Sequence, residues 1–125
     1  NGNAYFESMS AACENQDVST IDYVFLHAPG TLKGDQAELK AINTLFGDQN
    51  PNLYSTKCLH GHTLGASGAL SLDFALQMFK NQNDIDFPYD SINQNTKSKK
   101  PIERILINAA GFGGNSVSVL LKRMV

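Results

Sequence analysis

Residues 55–68, STKCLHGHTLGASG, crowd two histidines, a lysine and a cysteine into a stretch that ends in small residues and opens a helix-like apolar pattern. The remaining histidine, His27, closes an apolar run over 21–26 (IDYVFL) and is followed by Ala28-Pro29-Gly30-Thr31. Neutral imidazoles brought together from neighbouring strand ends, here His27 and His62, can each donate an N–H to one shared oxygen. That pair suits an enolate or a tetrahedral oxyanion, where one such donor is worth about 3 kcal/mol of barrier in other systems. Lys57, just ahead of His62, can position that ring and lower its proton affinity by like charge.

The same residues admit other readings. His27 and His62 can be hydrogen-bonded strand-end side chains with no chemical role. Cys58, His60 and His62 alternate along an extended segment and so share one face, which with His27 makes a conceivable zinc set, although zinc sites more often use hairpin-spaced pairs. Gly111-Phe112-Gly113-Gly114 reads better as a hairpin turn than as a phosphate cradle, because neither a helix pattern nor a lysine follows it. Cys13 and Cys58 are expected to be reduced, each either an inert buried thiol or a nucleophile, since nothing marks a secretory context.

The elements that must position these groups follow from the pattern. The β-branched and aromatic content of 21–26 predicts a buried strand that delivers His27 at its C-terminal end, and Pro29 with Gly30 breaks it. Asp35 as a cap with Glu38 three residues on, followed by apolar positions at helical spacing, predicts a helix over 35–46 that Gly47 ends. A short strand is expected over 53–57, then a helix over 64–80 whose small first residues point to close backbone approach. Residues 4–13 fit the last turns of a helix, and 81–101 a long surface connection with a possible edge strand near 85–89. Strands over 104–110 and 116–122, joined by a turn, make a closing hairpin. The order predicts an α/β fold: a mixed sheet with helices packed on it, and His27 and the 55–68 loop on one sheet edge.

Composition narrows the classes. A chain of 125 residues with 42% hydrophobic and 18% charged residues is one domain's worth and has the means to build a core. Ten basic against twelve acidic residues, with only Lys97, Lys99, Lys100 and Arg104 clustered, argue against a nucleic-acid partner. The longest apolar runs are too short to cross a bilayer, so no membrane partner is expected and the cytoplasm is the expected location.

Four segments, in order, resemble the C-terminal half of the β-ketoacyl-[acyl carrier protein] synthases, of thiolase fold. They are His27-Ala28-Pro29-Gly30-Thr31 with Gly34-Asp35-x-x-Glu38; Ser55-Thr56-Lys57; Gly61-His62-Thr63-Leu64-Gly65-Ala66-Ser67-Gly68; and Asn108-x-x-Gly111-Phe112-Gly113-Gly114-Asn115. The resemblance implies a decarboxylative Claisen condensation, in which an acyl thioester on an active-site cysteine is attacked by the enolate of malonyl carrier protein. It gives His27 and His62 the malonyl thioester oxygen, Lys57 the organisation of His62, and Thr31, Thr63, Phe112 and Gly113 substrate contacts. Thr31 would meet the pantetheine arm, and Phe112 would be a gatekeeping aromatic. No cofactor or metal is implied; the substrates ride on the phosphopantetheine of acyl carrier protein. The implied partners are that carrier protein, the synthase's own N-terminal half, and a second subunit in a homodimer or heterodimer.

There are departures from the family pattern. Ala28 and Pro29 replace a glycine and a threonine, which implies a missing pantetheine hydrogen bond, and Ser71 stands where a carboxylate is common, with Asp73 expected on another helix face. The family nucleophile belongs to the N-terminal half, and neither Cys13 nor Cys58 matches it. The chain is therefore expected to be the C-terminal part of a longer synthase, starting after that half's first strand and inactive alone. The alternative is a non-catalytic partner subunit of the chain-length-factor type.

Overall fold

A computed structural model describes residues 2–28, 31–49, 51–55, 67–82, 101–111 and 115–124. Helix α1 (Gly2–Ala12) is followed by a 3-10 turn (Val18–Thr20), strand β1 (Tyr23–Phe25), helix α2 (Leu32–Phe46), strand β2 (Asn52–Tyr54), helix α3 (Ser67–Asn81) and the hairpin strands β3 (Arg104–Ala110) and β4 (Ser116–Lys122). The sheet order is β2-β1-β3-β4, with β1 parallel to both its neighbours and β3 antiparallel to β4. This is the expected mixed sheet, and it leaves the chain reversing direction on either side of β1, where open α/β sheets form a crevice at their C-terminal edge.

Side-chain alternation along β1 divides the core into two layers. Val24 and Leu26 pack with Tyr5, Met9 and Cys13 of the α1 region and with Ala41, Ile42 and Phe46 of α2. Tyr23 and Phe25 point the other way, onto Ala75, Met78 and Phe79 of α3 and onto Ile105 and Ile107 of β3. The parallel register sets Phe25 beside Tyr54, with ring centroids 6.1 Å apart, while Tyr23 and Tyr54 stand at 5.1 Å. Such pairs contribute about 1 kcal/mol each beyond area burial.

Polar clamps fix the connections. Asp22 Oδ2 accepts the backbone N–H groups of Glu103 (2.8 Å) and Arg104 (3.0 Å), which locks the start of β3 against β1. Gln82, with φ +54° just past α3, accepts from Ile102 N–H (2.8 Å) and donates to the carbonyls of Ile102 (3.1 Å) and Phe79 (2.7 Å). The helix end and the strand start are thereby tied across the intervening segment.

Strands 104–110 and 116–122 match the sequence reading, whereas the strand expected over 21–26 is shorter. Helix α2 starts three residues before the expected Asp35. Its cap is Thr31, whose Oγ1 accepts Gly34 N–H at 3.2 Å, and Glu38 is spent elsewhere, so the Asp35/Glu38 capping box is not formed. Gly47 closes the helix at φ +56°, as its type required. Close approach at Gly68 is also not borne out: an added Cβ would lie 3.6 Å from Ala109 Cβ, an ordinary contact. Residues 56–66 and 83–100, including the edge strand expected near 85–89, lie outside the described residues.

Candidate active site

His27 lies two residues beyond β1, at the C-terminal edge of the sheet, and is buried with 5% exposure. The chain stays in register with β2 as it leaves, because Leu26 N–H donates to the Tyr54 carbonyl at 2.7 Å. Parallel pairing of Phe25 with Tyr54 therefore delivers His27 and the buried Ser55, the first residue of the 55–68 stretch, to the same edge. Gly68, at the other end of that stretch, lies against Ala109 near the end of β3. The expectation that His27 and this stretch share an edge is met at both ends of the stretch.

What holds His27 is a carboxylate. Glu38, 1% exposed and one turn into α2 past its cap region, accepts the backbone N–H of His27 on Oε2 (2.8 Å) and that of Ala28 on Oε1 (2.9 Å). Asn108 of β3 adds a third donor, Nδ2 to Oε2 at 3.2 Å. A buried charged acceptor is tolerated only when several donors meet it, and such charge-assisted bonds are about twice as strong as neutral ones. The consequence is a fixed backbone at the point where the strand turns into the His27 loop. The negative charge is felt at Tyr5 on α1, whose phenol is pushed upward first by burial and then by Glu38 and Asp35.

Ala28 carries the conformational cost of that turn. Its φ is +39° while it is 6% exposed, a left-handed backbone that penalises any side chain by about 1–2 kcal/mol. A glycine is the natural occupant of such a position, and the resembled motif has one there.

Thr31 is exposed at the start of α2, and its oxygen serves as the helix cap, leaving its hydroxyl hydrogen outside that bond. Ser71 is 2% exposed on the inward face of α3, while Asp73 is exposed and accepts from Gln77 Nε2 at 3.0 Å, so the two do lie on different faces. His62, Lys57, Thr63, Phe112 and Gly113 lie outside the described residues, as do Cys58 and His60 of the zinc reading. Cys13 is buried behind α1, and burial pushes its thiol up, away from the thiolate a nucleophile needs.

Sequence reasoning saw Glu38 and Asn108 as parts of motifs and missed their function. A glutamate that far into an otherwise amphipathic helix, on the same face as Ala41 and Ile42, was the available signal: a charge on the core side requires donors.

This sheet, with its two helical layers, is the fold of the ketosynthases. A β-ketoacyl synthase from Burkholderia phymatum STM815 is 28% identical and superposes with a TM-score of 0.86 over 100% of this chain and 33% of its own. A type II polyketide ketosynthase in complex with its acyl carrier protein (AntDE:AntF), 23% identical, shares the fold with a TM-score of 0.81 over 99% of this chain and 33% of its own. The beta-ketoacyl synthase C-terminal domain model matches residues 1–83. The 3-oxoacyl-[acyl-carrier-protein] synthase 1 of Haemophilus influenzae is 35% identical across 89% of this chain and 31% of its own length. The chain belongs to the β-ketoacyl synthase family, matching it through the C-terminal domain. It spans about a third of the length of these relatives.

Proposed function

We propose that this chain supplies the two-histidine part of a 3-oxoacyl-[acyl carrier protein] synthase, an acyltransferase of fatty acid or polyketide synthesis. The observation that carries the reading is His27 itself: a buried imidazole at the C-terminal edge of the sheet, with its backbone clamped by Glu38, in a chain of this family. In the proposed reaction the malonyl thioester loses carbon dioxide, and the electron pair of the broken C–C bond passes to the thioester oxygen. His27 and His62 would each donate an N–H to that oxygen, which stabilises the enolate as it forms. The enolate carbon then attacks the acyl thioester on a cysteine outside this chain; a C–C bond forms, the C–S bond breaks, and the thiolate is released. Lys57 would orient His62, and Thr31, Thr63, Phe112 and Gly113 would line the path of the pantetheine arm and acyl chain.

The partners in this reading are acyl carrier protein, a nucleophile-bearing N-terminal half, and a second subunit, in the cytoplasm. The protein needs no cofactor of its own, because the phosphopantetheine belongs to the carrier. Acting alone, the 125 residues would not condense acyl groups. Ser71 in the core-facing position of α3, where the resembled family commonly carries a carboxylate, favours a second reading as a non-catalytic subunit of chain-length-factor type.

The experiment is a condensation assay on the full-length protein with acyl and malonyl carrier proteins. The synthase reading expects product, and a loss of about 100-fold or more in kcat for His27→Ala and for His62→Ala. Absence of product from the parent, with stimulation of a companion synthase instead, would establish the second reading.

A further inference from the structure

Behind Glu38 runs a chain of hydroxyls that the proposed reaction does not use. Ser118 Oγ on β4 donates to Asn108 Oδ1 at 2.7 Å, Ser8 Oγ on α1 lies 2.9 Å from Ser118 Oγ, and Ser116 Oγ lies 3.0 Å from Ser8 Oγ. Each hydroxyl has one proton, so the direction of the chain can be deduced. Glu38 accepts on both oxygens, which turns the Asn108 amide N–H toward it and leaves Asn108 Oδ1 to accept from Ser118. With its proton committed to Asn108, Ser118 must accept from Ser8, and Ser8 in turn accepts from Ser116. The competing use of the Ser8 proton, its bond to the Tyr5 carbonyl, is longer at 3.2 Å. Asn108 is 2% exposed and its Nδ2 also meets Met9 Sδ at 3.3 Å, so the amide has little room to turn.

Resting on the synthase reading, we infer that Ser118 and Ser8 are positioning residues: their hydroxyl chain locks the Asn108 amide, which holds the Glu38 carboxylate that fixes the His27 loop. Without the Ser118 hydroxyl, Asn108 Oδ1 loses its donor where the residue is 2% exposed, and the amide that presents Nδ2 to Glu38 is no longer held at both ends. The Asn108 bond to the carboxylate then weakens, and the backbone that Glu38 holds loosens where the imidazole must be precise. Partners that orient a first layer of functional groups are typically worth about 10–100-fold in activity.

The test is a set of variants in the full-length synthase: Ser118→Ala, Ser118→Thr, Ser8→Ala, Glu38→Gln and the Ser118→Ala/Glu38→Gln pair. Ser118→Ala is expected to lower kcat about tenfold with KM for malonyl carrier protein within about twofold, and Ser118→Thr, which keeps the hydroxyl, to restore kcat to within about twofold. Ser8→Ala is expected to cost about threefold, and the pair no more than Glu38→Gln alone, since both act through one carboxylate. Effects that multiply in the pair, or a Ser118→Thr as slow as Ser118→Ala, would overturn the inference. Should Ser118→Ala fail to fold, Ser8→Ala decides, and an unchanged kcat there overturns it. A parent without condensing activity would refute the synthase reading, whereas an active parent with independent effects would refute only the hydroxyl chain.

Discussion

Replacing Glu38 with glutamine changes one atom and should cost a large share of the stability. Both carboxylate oxygens accept: Oε1 from Ala28 N–H at 2.9 Å, Oε2 from His27 N–H at 2.8 Å and from Asn108 Nδ2 at 3.2 Å. In glutamine one of these acceptors becomes an amide N–H that faces a backbone N–H, whichever way the amide is turned. The lost charge-assisted bond is worth about 1.5–3 kcal/mol, and the stranded donor, in a site where Glu38 is 1% exposed, about 1–3 kcal/mol more. A destabilisation of about 3 kcal/mol follows, which for a slope near 2 kcal/mol per molar moves the urea midpoint down by about 1.5 M. The assay is urea unfolding followed by far-ultraviolet circular dichroism on the protein carrying this chain, with Glu7→Gln, at an exposed position of α1, as the control. A Glu38→Gln shift no larger than the control's would refute the claim that this carboxylate is a structural anion.

Further expectations concern backbone strain and alkaline pH. Ala28→Gly trades a buried methyl for relief of the φ +39° strain and should change stability by less than about 0.5 kcal/mol, whereas Ala41→Gly, buried within α2, should cost about 2 kcal/mol; equal losses in denaturant unfolding would contradict the strained turn. Burial pushes the Tyr5 phenol and the Cys13 thiol up. Their protonated forms favour the fold, so this stabilisation is intact below the unfolded thiol value of about 8.5 and is lost as pH rises through the higher folded values. Unfolding midpoints should fall progressively above that pH, and Tyr5→Phe should flatten the decline above about pH 10; a parent whose midpoint is level up to pH 11 would contradict the burial of these groups. Gly68→Ala should be neutral or slightly stabilising by thermal melting, because the added Cβ meets Ala109 at 3.6 Å in ordinary contact; a loss above about 1 kcal/mol would restore the close-approach explanation.

Local chemistry explains what was legible in advance. The hairpin strands were readable to the residue because alternation and the glycine-rich turn act within a few positions, and Gly47 announced the end of α2 through the φ +56° that it alone adopts cheaply. The start of α2 was misplaced because Thr31 and Asp35 are both good caps, and only the tertiary use of Glu38 decides between them. The site was half legible. His27 followed from a strand and its breaker, but the anchor beneath it joins α2, β3, β4 and α1 through residues about 70–110 positions apart, a distance over which no periodicity carries information.

Stabilisation of the enolate in the proposed reaction rests on His27 and His62 gripping one oxygen. The direct measurement is a crystal structure of the full-length protein with an unreactive malonyl-pantetheine analogue bound. Ring nitrogens of both histidines within about 3 Å of the same thioester oxygen is the predicted result. Rings on opposite faces of the sheet, or an oxygen held by His27 alone, would contradict it.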